Sequence, residues 1–65
     1  MKNRIEELRK ARGISQAEFA KLMKVSRQTI SSLENGRYNP SIELAYRVAH
    51  WFGLTIEDVF IFEEE

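Results

Sequence analysis

The sequence predicts a single all-α domain, residues 1–65, that is built from five short helices. Apolar residues recur at helical spacing in five segments, a glycine follows three of these segments, and a Ser or Thr precedes four of them. The predicted helices span residues 2–12, 16–23, 27–35, 42–52 and 56–60. With 65 residues and no Cys, the chain has a small core and no disulfide or Cys-based zinc site to reinforce it.

The helix boundaries follow from residues that cap helices. Four residues are of the N-cap type: Ser15, Ser26, Ser41 and Thr55. Ser15 with Glu18 forms a capping-box pattern, and Thr55 with Asp58 forms a weaker version of it. Three glycines stand where helices end: Gly13, Gly36 and Gly53. Each helix is therefore predicted to start and stop within a few residues of these positions.

The apolar stripes of the five segments form one predicted core. Helical spacing turns the following side chains inward: Ile5, Leu8, Ile14, Ala17, Phe19, Ala20, Leu22, Met23, Val25, Ile30, Leu33, Ile42, Ala45, Val48, Ala49, Phe52, Leu54, Ile56, Val59 and Phe60. This set is sufficient for one compact core, and no second domain is predicted.

The second and third helices are predicted to form a helix-turn-helix over residues 16–35. Only Lys24, Val25 and the cap Ser26 separate the two helices, and so short a connection makes them cross steeply. Ala20 lies where the helices meet, and its small side chain permits close approach.

Two stretches of the chain, ISQAEFA from residue 14 and VSRQTISSLENGRYNPS from residue 25, resemble Cro/CI-type (XRE-type) helix-turn-helix transcriptional regulators. The resemblance extends over nearly the whole chain and implies a five-helix, lambda-repressor-like fold with double-stranded DNA as the partner. The expected function is a repressor that reads the major groove of a near-palindromic operator. In the family, glycine often occupies the first turn position, where this chain has Lys24. We therefore expect Lys24 to have a positive φ, at a cost of about 1 kcal/mol.

The outer face of the third helix is the predicted base-reading surface. With Ile30 and Leu33 inward, the polar residues of this helix point away from the core. Arg pairs well with guanine and Gln with adenine, and the first residues of such a helix reach base edges. The predicted base contacts are Arg27, Gln28, Thr29 and Ser32. The alternative is that these are ordinary solvated residues of a surface helix.

Predicted phosphate contacts flank this helix at Gln16, Ser26, Asn35, Arg37 and Tyr38. Gln16 opens the second helix, where unpaired backbone N–H groups favour an anion. The resemblance implies that Gln16 contacts a phosphate and supports Gln28. Ser26 is predicted to serve both as an N-cap and as a phosphate contact, and a role as a cap alone is an equal alternative. Such contacts position the protein without reading base sequence.

A structural ion pair between Arg9 and Glu34 is also implied by the resemblance. Glu34 lies beside the inner face of the third helix, and Arg9 lies on the flank of the first. We expect the pair to be partly buried, so that loss of one partner leaves an uncompensated charge at a cost of a few kcal/mol.

Aromatic residues are concentrated near the C-terminus, which suggests an interface there. The predicted homodimer surface, centred on segment 54–65, consists of Leu44, Trp51, Phe60, Ile61 and Phe62. Alternatively, Trp51 covers the core of a monomer, and residues 60–62 either fold back on the core or form a short C-terminal strand. A rival function is an antitoxin-like or adaptor module that binds another protein through this aromatic face.

Charge and composition exclude several other classes. No run of apolar residues is long enough to span a membrane, and the expected location is the cytoplasm. One His without Cys gives no metal-ligand set, and no cofactor loop or catalytic grouping occurs, so no enzyme is predicted.

The net charge is zero, but residues 1–37 carry +5 and residues 38–65 carry −5. The basic half contains the helix-turn-helix, which favours its orientation toward DNA.

Overall fold

Five α-helices form the fold in the computed structural model, which describes residues 1–62. They are α1 (Ile5–Ala11), α2 (Gln16–Met23), α3 (Arg27–Glu34), α4 (Ile42–Trp51) and α5 (Ile56–Val59). The predicted all-α, five-helix fold is confirmed. The predicted dimerisation segment reaches beyond the structure, since residues 63–65 lie outside the described part.

The predicted N-caps all form. The Ser15 hydroxyl accepts a hydrogen bond from the Glu18 N–H at 3.1 Å, and the Glu18 carboxylate accepts one from the Ser15 N–H at 2.8 Å. Thr55 and Asp58 form the second reciprocal capping box, while Ser26 and Ser41 cap α3 and α4. These bonds satisfy N–H groups that have no partner within the helix, so the starts of four helices are fixed locally.

The first helix begins at Ile5 and not at residue 2 as predicted, because the preceding residues pair with the C-terminal segment. Asn3 forms an antiparallel β-bridge with Phe60. The Arg4 N–H donates to the Val59 carbonyl, and the Ile61 N–H donates to the Lys2 carbonyl, both at 2.8 Å. Phe60 is extended, so α5 stops at Val59. Within residues 1–62 the suggested C-terminal strand is thus a single bridge, and Phe60 folds back into the core.

The core contains most of the predicted inward residues, with Phe19, Ile30, Val48 and Val59 fully buried. Three predictions are wrong: Ala17, Leu22 and Ile42 are exposed. The inner face of α2 is the narrow stripe of Phe19, Ala20 and Met23, and Ala17 and Leu22 lie roughly 110° from its centre at 100° per residue. Ile42 lies on the flank of α4, and its side chain is 83% exposed.

No helix among residues 1–62 combines the length and the hydropathy that a membrane crossing needs.

Candidate nucleic-acid interface

The turn between α2 and α3 is tight and left-handed at its first residue. Lys24 has φ 63° and ψ 40°, which confirms the positive φ expected there. The Val25 N–H donates to the Ala20 carbonyl at 3.0 Å, and Arg47 of α4 donates to the Met23 carbonyl at 2.6 Å. The end of α2 is therefore held both by the turn itself and by a cation from α4.

The outer face of α3 carries the four residues predicted to read bases. Arg27 and Gln28 are exposed, and Thr29 and Ser32 are half-buried. On the opposite face, Ile30 and Leu33 are buried against α2. The packing of this inner face fixes the rotation of α3, so that its polar residues point away from the core.

An open groove of about 330 Å³ runs along this face, between α3 and the loop that follows it. Six residues line it: Ser26, Gln28, Thr29, Ser32, Arg37 and Tyr38. All six belong to the predicted base and phosphate contacts. The structure thus brings together two groups of residues that sequence reasoning assigned separately, one from α3 and one from its following loop.

Ser26 is engaged as an N-cap. Its hydroxyl accepts from the Thr29 N–H at 3.1 Å and lies 2.9 Å from the Thr29 hydroxyl. Asn35, at the other end of α3, is exposed and outside the groove. Arg37 follows closely, and its N–H donates to the Ser32 carbonyl at 3.0 Å. The loop after α3 is therefore tied back to the last turn of the helix.

Arg9 and Glu34 form a buried ion pair, with side chains 8% and 3% exposed. Arg9 donates through Nε at 2.8 Å and through Nη2 at 3.3 Å to the two carboxylate oxygens. The hydrogen bond to Glu34 raises the pKa of Arg9, while burial acts in the opposite direction. The Gln16 amide also donates to Glu34, at 3.0 Å. Gln16 therefore braces Glu34 and not Gln28, the residue that the resemblance had implied.

The basic half of the chain keeps several unneutralised cations on its surface. Its acidic residues are engaged: Glu6 pairs with Lys10, Glu7 with Arg4, and Glu34 with Arg9, while Glu18 is in the capping box. Within residues 1–62 no ion pair involves Lys21, Lys24, Arg27 or Arg37. These four side chains are thus available to an anionic partner.

The helix-turn-helix family model matches residues 5–59, which is most of the chain. The chain is an XRE-type helix-turn-helix protein. An HTH-type transcriptional regulator of Archaeoglobus fulgidus is 51% identical over 65 residues, covering all of this chain and 93% of the relative. One of Methanocaldococcus jannaschii is 45% identical, covering all of this chain and 98% of that one.

Structural comparison agrees with this family. A transcriptional regulator from Listeria innocua superposes with a TM-score of 0.82 at 25% identity, covering all of this chain and 64% of that one.

A phage phi105 relative called immunity repressor protein is 33% identical over 67 residues, covering 95% of this chain and 46% of that protein. The chain is accordingly a transcriptional regulator with a helix-turn-helix DNA-binding domain.

The surface predicted for a dimer of this helix-turn-helix protein is partly wrong. Leu44 and Phe60 are only 4% and 1% exposed, because both pack into the core of their own chain. Trp51 is half-buried, with its ring centroid 5.5 Å from that of Phe19, so it covers the core as the alternative interpretation held. Ile61 and Phe62 are 41% and 59% exposed. Only these last two remain as surface residues of the predicted patch.

Sequence reasoning missed an apolar groove of about 150 Å³ beside this pair. It is lined by Met1, Pro40, Ile42, Ala45, Ile56, Phe60 and Phe62. Ile42 is the most exposed of these, and Tyr46, one turn further along α4, is 58% exposed. The i, i+4 spacing of Ile42 and Tyr46 was a detectable signal of a second apolar face on α4.

Among residues 1–62, no group of three or more His, Cys, Asp or Glu side chains is placed to hold a metal ion.

Proposed function

We propose that this regulator is a repressor that binds a near-palindromic operator as a homodimer, with α3 in the major groove. The observation that carries the proposal is the groove formed by α3 and its following loop, which is lined entirely by residues suited to base or phosphate contact. Arg27, Gln28, Thr29 and Ser32 are assigned to base contacts. The relative called immunity repressor protein supports the repressor role.

Phosphate contacts are assigned to the residues around this helix: Gln16, Ser26, Asn35, Arg37 and Tyr38. Arg37 and Tyr38 share the groove with Gln28 and Ser32, so they are suited to contact the strand beside the base pairs that α3 reads. Ser26 can donate its O–H to a phosphate oxygen when the Thr29 hydroxyl is the donor in the bond between the two hydroxyls. Gln16 can still donate directly to a phosphate oxygen, because its amide nitrogen carries two N–H groups and donates one of them to Glu34.

Selection of bound sequences from random duplex DNA tests this proposal. We expect an inverted repeat whose half-sites lie about one helical turn, ~34 Å, apart. Gln28→Ala is expected to relax preference at one base pair of each half-site, at about 1–3 kcal/mol. Arg37→Ala is expected to weaken binding to all sequences and to reduce the salt slope by about 1. Recovery of no preferred sequence would contradict the proposal.

A homodimer is supported by the apolar groove beside Ile42 and Phe62. Each chain leaves these side chains exposed, and the groove lies on α4 and α5 and not along α3. We expect sedimentation equilibrium to give a dimer for the unmodified protein and a monomer for Ile42→Glu, with unchanged helical circular dichroism. Lys21→Glu is the control, because Lys21 is an exposed residue of α2 and its substitution changes the charge of a different surface. A monomer at high micromolar concentration would rule out the dimer.

The adaptor alternative depended on an exposed aromatic C-terminal face. Phe60 is buried and Trp51 is half-buried, so no specific observation favours a different protein partner over a second copy. We assign the protein a binding role and not a catalytic one. The adaptor function is correct instead if the protein binds another protein and shows no salt-dependent binding of duplex DNA.

A further inference from the structure

We propose that Asn3 is a positioning residue for the DNA-contacting end of α3, an inference that rests on the proposed function. Asn3 lies outside the helix-turn-helix, and within residues 1–62 its side-chain hydrogen bonds go to no residue that is assigned to DNA. Asn3 nevertheless connects three parts of the molecule that are distant in sequence. Its side chain bonds the start of α1 and the end of α3, and its backbone pairs with the C-terminal segment.

The oxygen and the nitrogen of the Asn3 side-chain amide both form hydrogen bonds. Its Oδ1 accepts from the Ile5 N–H at 3.1 Å, at the start of α1. Its Nδ2 donates to the Leu33 carbonyl at 2.8 Å, at the end of α3, and to the Met1 carbonyl at 3.2 Å. The backbone of Asn3 meanwhile pairs with Phe60. Asn3 is therefore fixed from two sides, and the bond to Leu33 is the side-chain hydrogen bond that it makes with α3.

The end of α3 is also held by hydrogen bonds other than the one from Asn3. Its last carbonyls accept from the N–H groups of the segment after it, including Gly36 to Leu33 at 3.1 Å. The N-terminal ammonium of Met1 adds a bond to the Gly36 carbonyl at 2.9 Å. Gly36 has φ 77°, and a Cβ there would lie 3.2 Å from the Met1 carbonyl oxygen. The N-terminal segment thus packs directly on the bend at which the chain leaves α3.

This bend sets the position of the groove residues on both sides of it. Ser32 directly precedes Leu33, and Arg37 and Tyr38 directly follow Gly36, and all three line the groove. Hydrogen bonds to DNA weaken steeply when donors and acceptors move out of line. Release of the Leu33 carbonyl from Asn3 is therefore expected to weaken DNA contacts that Asn3 itself does not make.

Asn3→Asp separates this role from simple helix capping. The aspartate keeps the acceptor for the Ile5 N–H, and a negative charge at the start of α1 is favourable. It has no donor for the Leu33 carbonyl. We expect Asn3→Asp to bind the highest-affinity selected duplex about three- to tenfold more weakly than the unmodified protein, the range that one hydrogen bond can supply. Hydrogen exchange at the Asn35, Gly36 and Arg37 amides is expected to quicken in the free protein.

Thr55→Ala is the matched control, because it removes a capping bond from α5 and leaves α3 untouched. Thr55→Ala is expected to lower the free energy of unfolding. It should leave the affinity for DNA and hydrogen exchange at the end of α3 unchanged. If Asn3→Asp leaves affinity unchanged while Gln28→Ala reduces it, the positioning role is wrong, whatever the exchange shows. If the unmodified protein binds no duplex DNA, the proposed function fails, and unchanged exchange in Asn3→Asp would show separately that Asn3 does not hold α3.

Discussion

The buried pair of Arg9 and Glu34 makes Arg9→Met the most informative single substitution for stability. Arg9 donates two hydrogen bonds to the Glu34 carboxylate, at 2.8 and 3.3 Å, and a third to the Ile14 carbonyl at 2.9 Å. Methionine preserves much of the side-chain length but supplies none of these donors. The Glu34 carboxylate then keeps only the Gln16 amide as a side-chain partner within the described residues.

The expected loss in free energy of unfolding is about 3–5 kcal/mol, because a charge that is 97% shielded from solvent loses its counter-ion. A domain of this length has a total stability of only about 3–10 kcal/mol. At about 4–8 °C per kcal/mol, the Tm should fall by at least about 12 °C. The protein should therefore lose a large fraction of its stability, and in the unfavourable case it will not fold.

Urea unfolding followed by circular dichroism measures this loss, with Arg4→Met as the matched control. Arg4 makes an ion pair with Glu7 in which the two side chains are 43% and 65% exposed, and an exposed hydrogen bond to the Asp58 carbonyl at 3.3 Å. Its loss should therefore cost no more than about 2 kcal/mol. The double substitution Arg9→Met with Glu34→Met should regain part of the stability, since no charge is left unpaired. Equal effects for Arg9→Met and Arg4→Met would refute the reasoning.

Three further predictions concern α2 and its ends. Lys24→Gly should raise the free energy of unfolding by about 0.5–1 kcal/mol in urea titration, since Lys24 has φ 63°, whereas Lys21→Gly inside the helix should lower it by about 1 kcal/mol. Arg47→Met should cost about 1.5–3 kcal/mol in the same assay, because the Met23 carbonyl loses a charged donor. The hydrogen bond from the Ser15 backbone holds the pKa of Glu18 below its ordinary value of 4.5. Its stabilisation should be complete above that pH and be lost as the pH falls through the lower folded pKa. Thermal unfolding of Glu18→Gln should show a correspondingly weaker acid dependence.

Features that depend on neighbouring residues in the sequence were predictable. Ser15, Ser26, Ser41 and Thr55 begin helices where expected, because an N-cap acts within three residues of itself. The positive φ of Lys24 was expected from the resemblance, because the family often has glycine at this turn position. The outward direction of Gln28 and Ser32 needed only the inward direction of Ile30 and Leu33, which helical spacing supplies.

Features that depend on distant contacts were not predictable. The start of α1 was misplaced because Asn3 pairs with Phe60, a residue near the opposite end of the sequence. Leu44 was assigned to a surface because a helical projection alone does not show which neighbouring element covers a flank. Ile42 was assigned to the core for the converse reason, as no element within residues 1–62 covers the flank of α4 where it lies.

The pairing of residues 2–4 with residues 58–61 has a consequence for the order of folding. These contacts join positions 54 to 59 residues apart, from the bond between Arg4 and Asp58 to that between Lys2 and Ile61, whereas most helix contacts here are local. Closing so long a loop costs chain entropy that only the assembled core can offset, so this pairing is expected to form late. The end of α3, which Asn3 and Met1 support, then reaches its final position only when the chain has closed. A newly made chain is therefore expected to form its helix-turn-helix early and the final arrangement of its DNA-binding surface last.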